Sequence, residues 1–258
     1  MLTIQRRGNR TIFEAISKLF YQGALKHHET VINSRLSFDI KAEGWLKEAL
    51  DSTKPLTWVQ TDKGFMEWCK IKKGRIEGAS GANTAEAAAA IKVYDAALLS
   101  GIPSSNMAII TTYRAQANLV RETIKELKKS EEPIVASLYH HRRGQEPNED
   151  YEPEEPEDLL DLRLAETVDS YQGREKELII YSVTTHYEHK ALLDYRRTNV
   201  AFTRARSKLI IISSLQSTVK LPWLKYLKQI ARPIVIKEDV LQPELDIVAK
   251  THARICRR

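Results

Sequence analysis

Short apolar runs alternate along the chain with longer segments of helical period. Runs at Leu56–Gln60, Met107–Thr111, Ile134–Leu138, Glu166–Asp169, Glu177–Thr184, Lys208–Ser213 and Pro233–Lys237 predict strands. Several, such as Leu-Ile-Ile-Tyr-Ser-Val from Leu178, are apolar at nearly every position, which suits parallel strands covered on both faces. Asn83-Thr84-Ala85-Glu86 has the pattern of a capping box and opens an alanine-rich helix to about Ser100, stopped by Gly101 and Pro103. A second helix is predicted over Arg114–Lys129, with Lys125, Lys128 and Lys129 matching the helix dipole in its last turn. A third runs from Asp194 to about Arg206, and weaker periodicity covers Leu221–Ile230 and Val240–Ala253. This alternation predicts an α/β domain with a mainly parallel sheet and helices on both of its faces.

Two segments depart from the pattern. Residues 27–80 are less regular and carry Trp45, Trp58 and Trp68, three of the four tryptophans, as a small subdomain or excursion would. Residues 142–161, rich in Pro, Glu and Asp, read as a solvated loop between two strands.

Charge adds a partner class. The 258 residues are 42% hydrophobic and 29% charged, an ordinary globular balance, with a net charge of +6. Residues 146–166 hold ten acids and one base, Arg163, so the remainder carries +15. A body that basic suits a polyanion such as nucleic acid or nucleotide, or is plain solvated surface. No apolar stretch approaches the ~20 residues of a membrane span, and no signal peptide opens the chain, so a soluble, intracellular protein without a membrane partner is expected. Cys69 and Cys256 are too few and too scattered for a disulfide framework or a zinc site, and no metal ligands are expected.

Candidate chemistry sits in two stretches. Thr167-Val-Asp-Ser-Tyr-Gln-Gly-Arg-Glu-Lys-Glu177 runs from a strand through a polar turn into the next strand. Gln172, Arg174 and Glu175 offer an amide, a cation and a carboxylate there, either toward a ligand crevice or as a well-capped turn. Asp194-Tyr-Arg-Arg-Thr-Asn-Val-Ala-Phe-Thr-Arg-Ala-Arg206 places Arg197 and Arg204 seven residues apart, hence on one face of the predicted helix, with Arg206 pointing elsewhere. Two guanidiniums on one stripe can grip phosphate oxygens.

Together these stretches resemble motifs V and VI of superfamily 1 helicases of the Up-frameshift-like class. Ile109-Ile-Thr-Thr-Tyr-Arg-Ala-Gln116 resembles motif IV, with Thr112 where proline is usual. Gln5-Arg6-Arg7, then Ile12 and Leu19-Phe20-Tyr21, resembles the segment that opens the second motor domain. The resemblance covers residues 1 to about 230 and implies a RecA-like, P-loop NTPase-type three-layer fold, with residues 1–258 as a single second motor domain. It implies that Arg204 is an arginine finger and Arg7 a second γ-phosphate arginine. Glu175 matches the ribose contact, with Gln172 and Arg174 beside it and Arg197 on the same nucleotide wall. Arg6 stands where the family stacks a tyrosine on adenine, a position a guanidinium can also fill. Thr111, Thr112, Tyr113, Gln116, Thr167 and Ser170 match positions near single-stranded DNA or RNA, where groups hold phosphates without reading sequence.

No G-x-x-x-x-G-K-[ST] loop and no Asp-Glu pair occurs in the chain. The implied ATP and Mg²⁺ therefore need ligands from a first RecA-like domain, in cis or in trans. The alternatives are a non-catalytic nucleic-acid-binding module and a subunit donating its arginine finger to another chain. The charge segregation predicts weak single-strand binding that falls steeply with salt. If the acidic segment covers the basic surface, deleting residues 146–161 strengthens binding more at low salt than at high salt. Fluorescence anisotropy at two salt concentrations checks this, and equal affinities would leave the segment as surface decoration.

Overall fold

The structure is a computed structural model that describes residues 4–32, 34–73, 76–129, 164–187, 189–216 and 221–256. The strand predicted at residues 134–138 and the acidic segment 142–161 lie outside the described residues. Ten strands are described: β1 (Ile4–Gln5), β2 (Lys26–His27), β3 (Leu56–Gln60), β4 (Met66–Lys73), β5 (Ile76–Asn83), β6 (Met107–Thr111), β7 (Ala165–Thr167), β8 (Lys176–Ser182), β9 (Ala205–Ser213) and β10 (Ile234–Val235). Six of them form one sheet in the order β10-β3-β9-β8-β6-β7, parallel at every pairing. β1 and β2 pair in parallel by themselves, and β4–β5 is an antiparallel hairpin.

The unbroken apolar runs follow from two covered faces. Ile109, Leu178, Ile180, Ile210 and Ile212 point into one core with α2 (Gly44–Leu50), α3 (Thr84–Leu99), α4 (Arg114–Lys129) and α8 (Glu244–Cys256). Their neighbours Ile110, Ile179, Tyr181, Leu209 and Ile211 point into the other core, with α1 (Arg10–Phe20), α6 (Tyr195–Phe202) and α7 (Pro222–Ile230). Leu192 of the one-turn α5 (Lys190–Leu193) joins that side. The predicted three-layer α/β fold with a parallel sheet is thus the observed one.

Local departures have physical reasons. α6 stops at Phe202 instead of running to Arg206 because Thr203 Oγ1 and Arg204 Nε both donate to the Val200 carbonyl, at 3.0 and 2.9 Å, and close its last turn. α8 begins at Glu244, not Val240, because Pro243 pushes the residue before it out of helical geometry. Residues 27–80, expected to be irregular, contain α2, β3 and most of the β4–β5 hairpin. Lys208, buried at the start of β9, donates to the Asp51 and Lys54 carbonyls and to Thr57 Oγ1, at 2.8, 2.5 and 2.7 Å, and so fixes the turn from α2 into β3.

The capping box at α3 is half formed. Asn83 Oδ1 accepts from Glu86 N at 3.0 Å, but the Glu86 side chain does not return to Asn83. It enters the carboxyl edge of the sheet, fully buried, and accepts from Ser182 Oγ (2.8 Å), Thr184 N (2.5 Å), Ser214 N (2.9 Å) and Ser214 Oγ (2.6 Å). Asn83 N donates instead to Gln116 Oε1 at 2.8 Å. Burial raises the Glu86 pKa to about 7, against the pull of its four donors. A raised acid favours the folded state below the unfolded value near 4.5 and loses that advantage as pH rises through 7. Glu86→Gln cannot ionise, and its amide donors face Ser and backbone donors, so it should be less stable than the parent at pH 5. By pH 8 the gap should narrow by about 3 kcal/mol. Urea unfolding at the two pH values measures this, and a constant gap would show that Glu86 ionises normally.

Candidate functional site

The chain between β1 and α1 makes a tight turn held by one side chain. Gln5 Oε1 accepts from Arg7 N (2.9 Å) and Gly8 N (3.2 Å), while Gln5 Nε2 donates to the Gly8 carbonyl at 3.0 Å. Asn9 then caps α1, its Oδ1 accepting from Thr11 N, and its own N–H donates to the Arg206 carbonyl at 2.6 Å. A Cβ on Gly8 would stand 2.7 Å from the Arg206 oxygen and 2.8 Å from the Ala205 oxygen, so only glycine lets this turn lie on the start of β9.

That docking gathers charge at the amino ends of β8 and β9. Arg7 Nε lies 2.8 Å from Glu175 Oε2, and Arg206 Nη2 lies 3.1 Å from Glu175 Oε1. Arg206 also reaches Glu177 at 3.6 Å. These groups border a cavity of about 510 Å³ whose walls include Ile4, Arg6, Phe13, Tyr21 and Leu25, a volume in the range of small-molecule sites. Both arginines are nearly half exposed, at 44% and 48%, and Glu175 is 31% exposed. Arg206 points away from Arg197 and Arg204: with α6 ended at Phe202, it lies on β9 and faces Glu175.

Arg204 stands behind this rim, 8% exposed. Its guanidinium donates to the Val200 carbonyl, the Arg174 carbonyl (3.2 Å) and Thr203 Oγ1 (2.9 Å). Burial, and next the charge of Arg7, pull its pKa below the usual guanidinium value. Arg197 and Arg204 do not share a helix face, because Arg204 lies past the helix end. Arg197 instead grips Asp169 with two bonds of 3.1 and 2.6 Å. The predicted meeting of the two stretches is nevertheless present, since α6 lies along residues 168–175 with Arg197 at one end and Arg204 at the other. Arg174 turns away from the cavity, pairing with both oxygens of Glu166 and stacking 4.3 Å from the Tyr171 ring centroid. Gln172 and Arg6 are exposed.

The remaining candidates lie at the opposite, carboxyl edge of the sheet. Thr111, Thr112 and Gln116 are buried there. Thr111 Oγ1 donates to the Tyr113 carbonyl at 2.8 Å, and Thr112 Oγ1 lies 2.9 Å from Tyr181 OH. Gln116 Nε2 donates to the Asn83 carbonyl and to Ser182 Oγ, at 3.1 and 3.2 Å. Thr167 is half-buried and Ser170 exposed, their hydroxyls 3.0 Å apart. Tyr113, 9% exposed, shares a 2.6 Å hydrogen bond with His189 Nδ1. Its ring meets Trp68 of β4 edge-on at 5.3 Å, and Trp68 Nε1 donates to Tyr187 OH at 2.6 Å. Trp68, Tyr187 and His189 were not among the expected site residues. The alternation of Glu67, Trp68 and Cys69 along a strand was the available signal.

Cys69 and Cys256, expected to be scattered, are joined in a disulfide across a sequence separation of 187, β4 meeting the last turn of α8. Sequence distance hid a contact that the fold creates.

The fold and the charged rim define a RecA-like α/β domain. The family described as an AAA domain matches residues 1–216. The DNA replication ATP-dependent helicase/nuclease DNA2 of Mus musculus is 28% identical over 240 residues, 86% of this chain and 19% of that relative. The DNA polymerase alpha-associated DNA helicase A of Saccharomyces cerevisiae is 28% identical over 260 residues, 95% of this chain and 32% of that relative. The chain belongs to this AAA domain family, in the C-terminal region of Up-frameshift-like superfamily 1 helicases. It spans only about a fifth to a third of the length of these relatives. No helix among the described residues is long and apolar enough to cross a membrane.

The cavity's dependence on Gly8 is testable. Gly8→Ala drives a methyl group into two backbone oxygens, a strain typically worth about 1–3 kcal/mol. The urea midpoint of the variant should fall accordingly, and an unchanged midpoint would mean the turn does not rest on β9.

Proposed function

We propose that this chain is the second motor domain of an ATP-dependent DNA helicase and forms one wall of its nucleotide cleft. The observation that carries this reading is the charged cluster of Arg7, Glu175 and Arg206 at the rim of the apolar-walled cavity. Arg6, Arg7 and Arg206 can bind phosphate oxygens, and Tyr21, Phe13 and Leu25 offer apolar surface to a base. The residues present fit the nucleotide but not its Mg²⁺. Glu175 is the one carboxylate among the residues lining the cavity, and two arginines already hold it. Metal ligands and the phosphate loop then come from a first motor domain, in cis or in trans.

The roles divide accordingly. Glu175 is poised to exchange an arginine for ribose hydroxyls. Arg204, in its three-acceptor nest, positions the turn in this state, and acts as a finger only by leaving Val200, Thr203 and Arg174 as a γ-phosphate approaches. Closing the cleft exchanges those neutral acceptors for a charged one, which is the stronger bond. At the carboxyl edge, Thr167 and Ser170 hydroxyls are available to a strand's phosphates, and the half-exposed Trp68 and exposed Tyr187 to its bases. The inward hydroxyls of Thr111 and Thr112 hold that edge in shape.

The isolated chain should bind an ATP analogue weakly and hydrolyse none, because its sequence has no G-x-x-x-x-G-K-[ST] loop and no Asp-Glu pair to hold the γ-phosphate and Mg²⁺. Arg7→Ala and Arg206→Ala should each weaken binding about tenfold, as loss of one charge-assisted contact does. Fluorescent-nucleotide titration and a phosphate-release assay measure both. Nucleic-acid-stimulated ATPase activity that co-purifies with the chain and vanishes in Arg204→Ala would reject the expected inactivity of the isolated chain.

A further inference from the structure

Outside the charged cavity, one cluster of side chains has the composition of a metal centre. Cys69 lies on β4, with Glu67 two residues earlier on the same face of the strand. His252 and Cys256 lie four residues apart on α8 and so share one face of the helix. Strand and helix meet so that the ligand atoms of Cys69, His252 and Cys256 all fall within 4.8 Å of one another. Cys69 and His252 are buried, and Cys256 is half-buried at the rim.

We propose that in the reduced protein Cys69, Cys256 and His252 bind one zinc-class divalent cation. Two thiolates and an imidazole are the donor set that such a borderline-soft ion selects over magnesium or calcium. A tetrahedral centre with bonds of about 2.3 Å to sulfur and 2.0 Å to nitrogen needs S···N edges near 3.5 Å, and His252 Nε2 already lies 3.4 Å from Cys256 Sγ. The other ring nitrogen, Nδ1, faces Glu67 Oε2 at 3.9 Å. A carboxylate on that side favours the Nδ1–H tautomer by its charge, which leaves the Nε2 lone pair for the sulfur side. Cys256 is half-buried, so solvent reaches this side of the cluster and a water can supply the fourth ligand.

The disulfide and the metal form are alternative states of the same atoms. A dithiol reductant supplies two electrons and two protons, the S–S bond breaks, and two thiols result. The cation then displaces both thiol protons and takes the two thiolates, while the sulfurs separate to about 3.7 Å by rotation about their Cα–Cβ bonds. Either state fastens β4 to α8.

The test is a Co²⁺ titration of the full chain, reduced and kept anaerobic with a phosphine. The expected result is one Co²⁺ per chain, with sulfur-to-cobalt charge transfer and the intense visible bands of a tetrahedral site, displaced by one equivalent of Zn²⁺. Zn²⁺ should also slow alkylation of both thiols. His252→Ala and Cys256→Ser should weaken Co²⁺ binding at least tenfold. Glu67→Gln should keep the spectrum but weaken binding about 10- to 100-fold. Far-UV circular dichroism confirms that each variant is folded, and Cys256→Ser, at the half-exposed end of α8, tests the site if His252→Ala does not fold. Reduced parent that shows only hexa-aqua cobalt absorption, with thiols as reactive as without metal, overturns the proposal. So does a tetrahedral spectrum unchanged in folded His252→Ala or folded Cys256→Ser.

Discussion

The close approach of Gly8 to the first carbonyls of β9 decides where the charged groups of the cavity stand. Arg7 immediately precedes that contact, and Arg206 is one of the two residues whose oxygens Gly8 meets. A single backbone-to-backbone contact therefore sets the spacing of two guanidiniums, and Glu175 enters between them from the start of β8. The contact is itself over-determined. Gln5 closes the turn from within, and the Asn9 N–H ties the next residue to the Arg206 carbonyl. An arrangement of long, half-exposed arginines gains its precision from this short rigid turn, because side-chain ion pairs in water hold little by themselves.

The opposite edge of the sheet is organised by a buried acid. Glu86 reaches from α3 to the ends of β8 and β9 and accepts four hydrogen bonds there, while the adjoining Asn83–Gln116 pair secures β5 to α4. These polar groups lie where parallel strands end and their backbone groups need partners. These hydrogen bonds supplement the apolar packing of Val183 and Leu215 at the strand ends, along the same edge as Trp68.

Much of this architecture was legible in the sequence. Unbroken apolar runs such as Leu178–Val183 announced strands with two covered faces, and β3, β6, β8 and β9 lie where such runs are. The motif stretches around Glu175 and Arg204 met as expected. What could not be read was anything decided by a side chain leaving its local pattern. Glu86 abandoned its capping box for a tertiary network, and Arg204 ended α6 early, turning Arg206 from an outlying residue into a member of the rim. The hydroxyls of Thr111 and Thr112 were matched by position alone, and the fold turned them inward. The Cys69–Cys256 contact depends on α8 returning to β4 from the far end of the chain, which no local spacing encodes.

The two edges are joined by one continuous set of contacts. Residues 168–175 leave the carboxyl end of β7, cross the sheet and enter β8 at its amino end. α6, eight residues and roughly 12 Å long, lies along this crossing. Arg197 pins its start to Asp169, beside Ser170, and Arg204 pins its end to the Arg174 carbonyl, beside Glu175. Arg174 in turn grips Glu166 of β7. Withdrawing Arg204 from its nest would remove the pin at the cavity end while Arg197 and Arg174 hold the other. The crossing then stays tethered by Lys176 N, which donates to the Arg204 carbonyl at 3.0 Å, by the buried Val168 and Tyr171, and by Asp169 and Glu166 next to the hydroxyls of Thr167 and Ser170. Among the described residues, the crossing thus links the charged cavity to the edge that the proposed function assigns to the nucleic-acid strand.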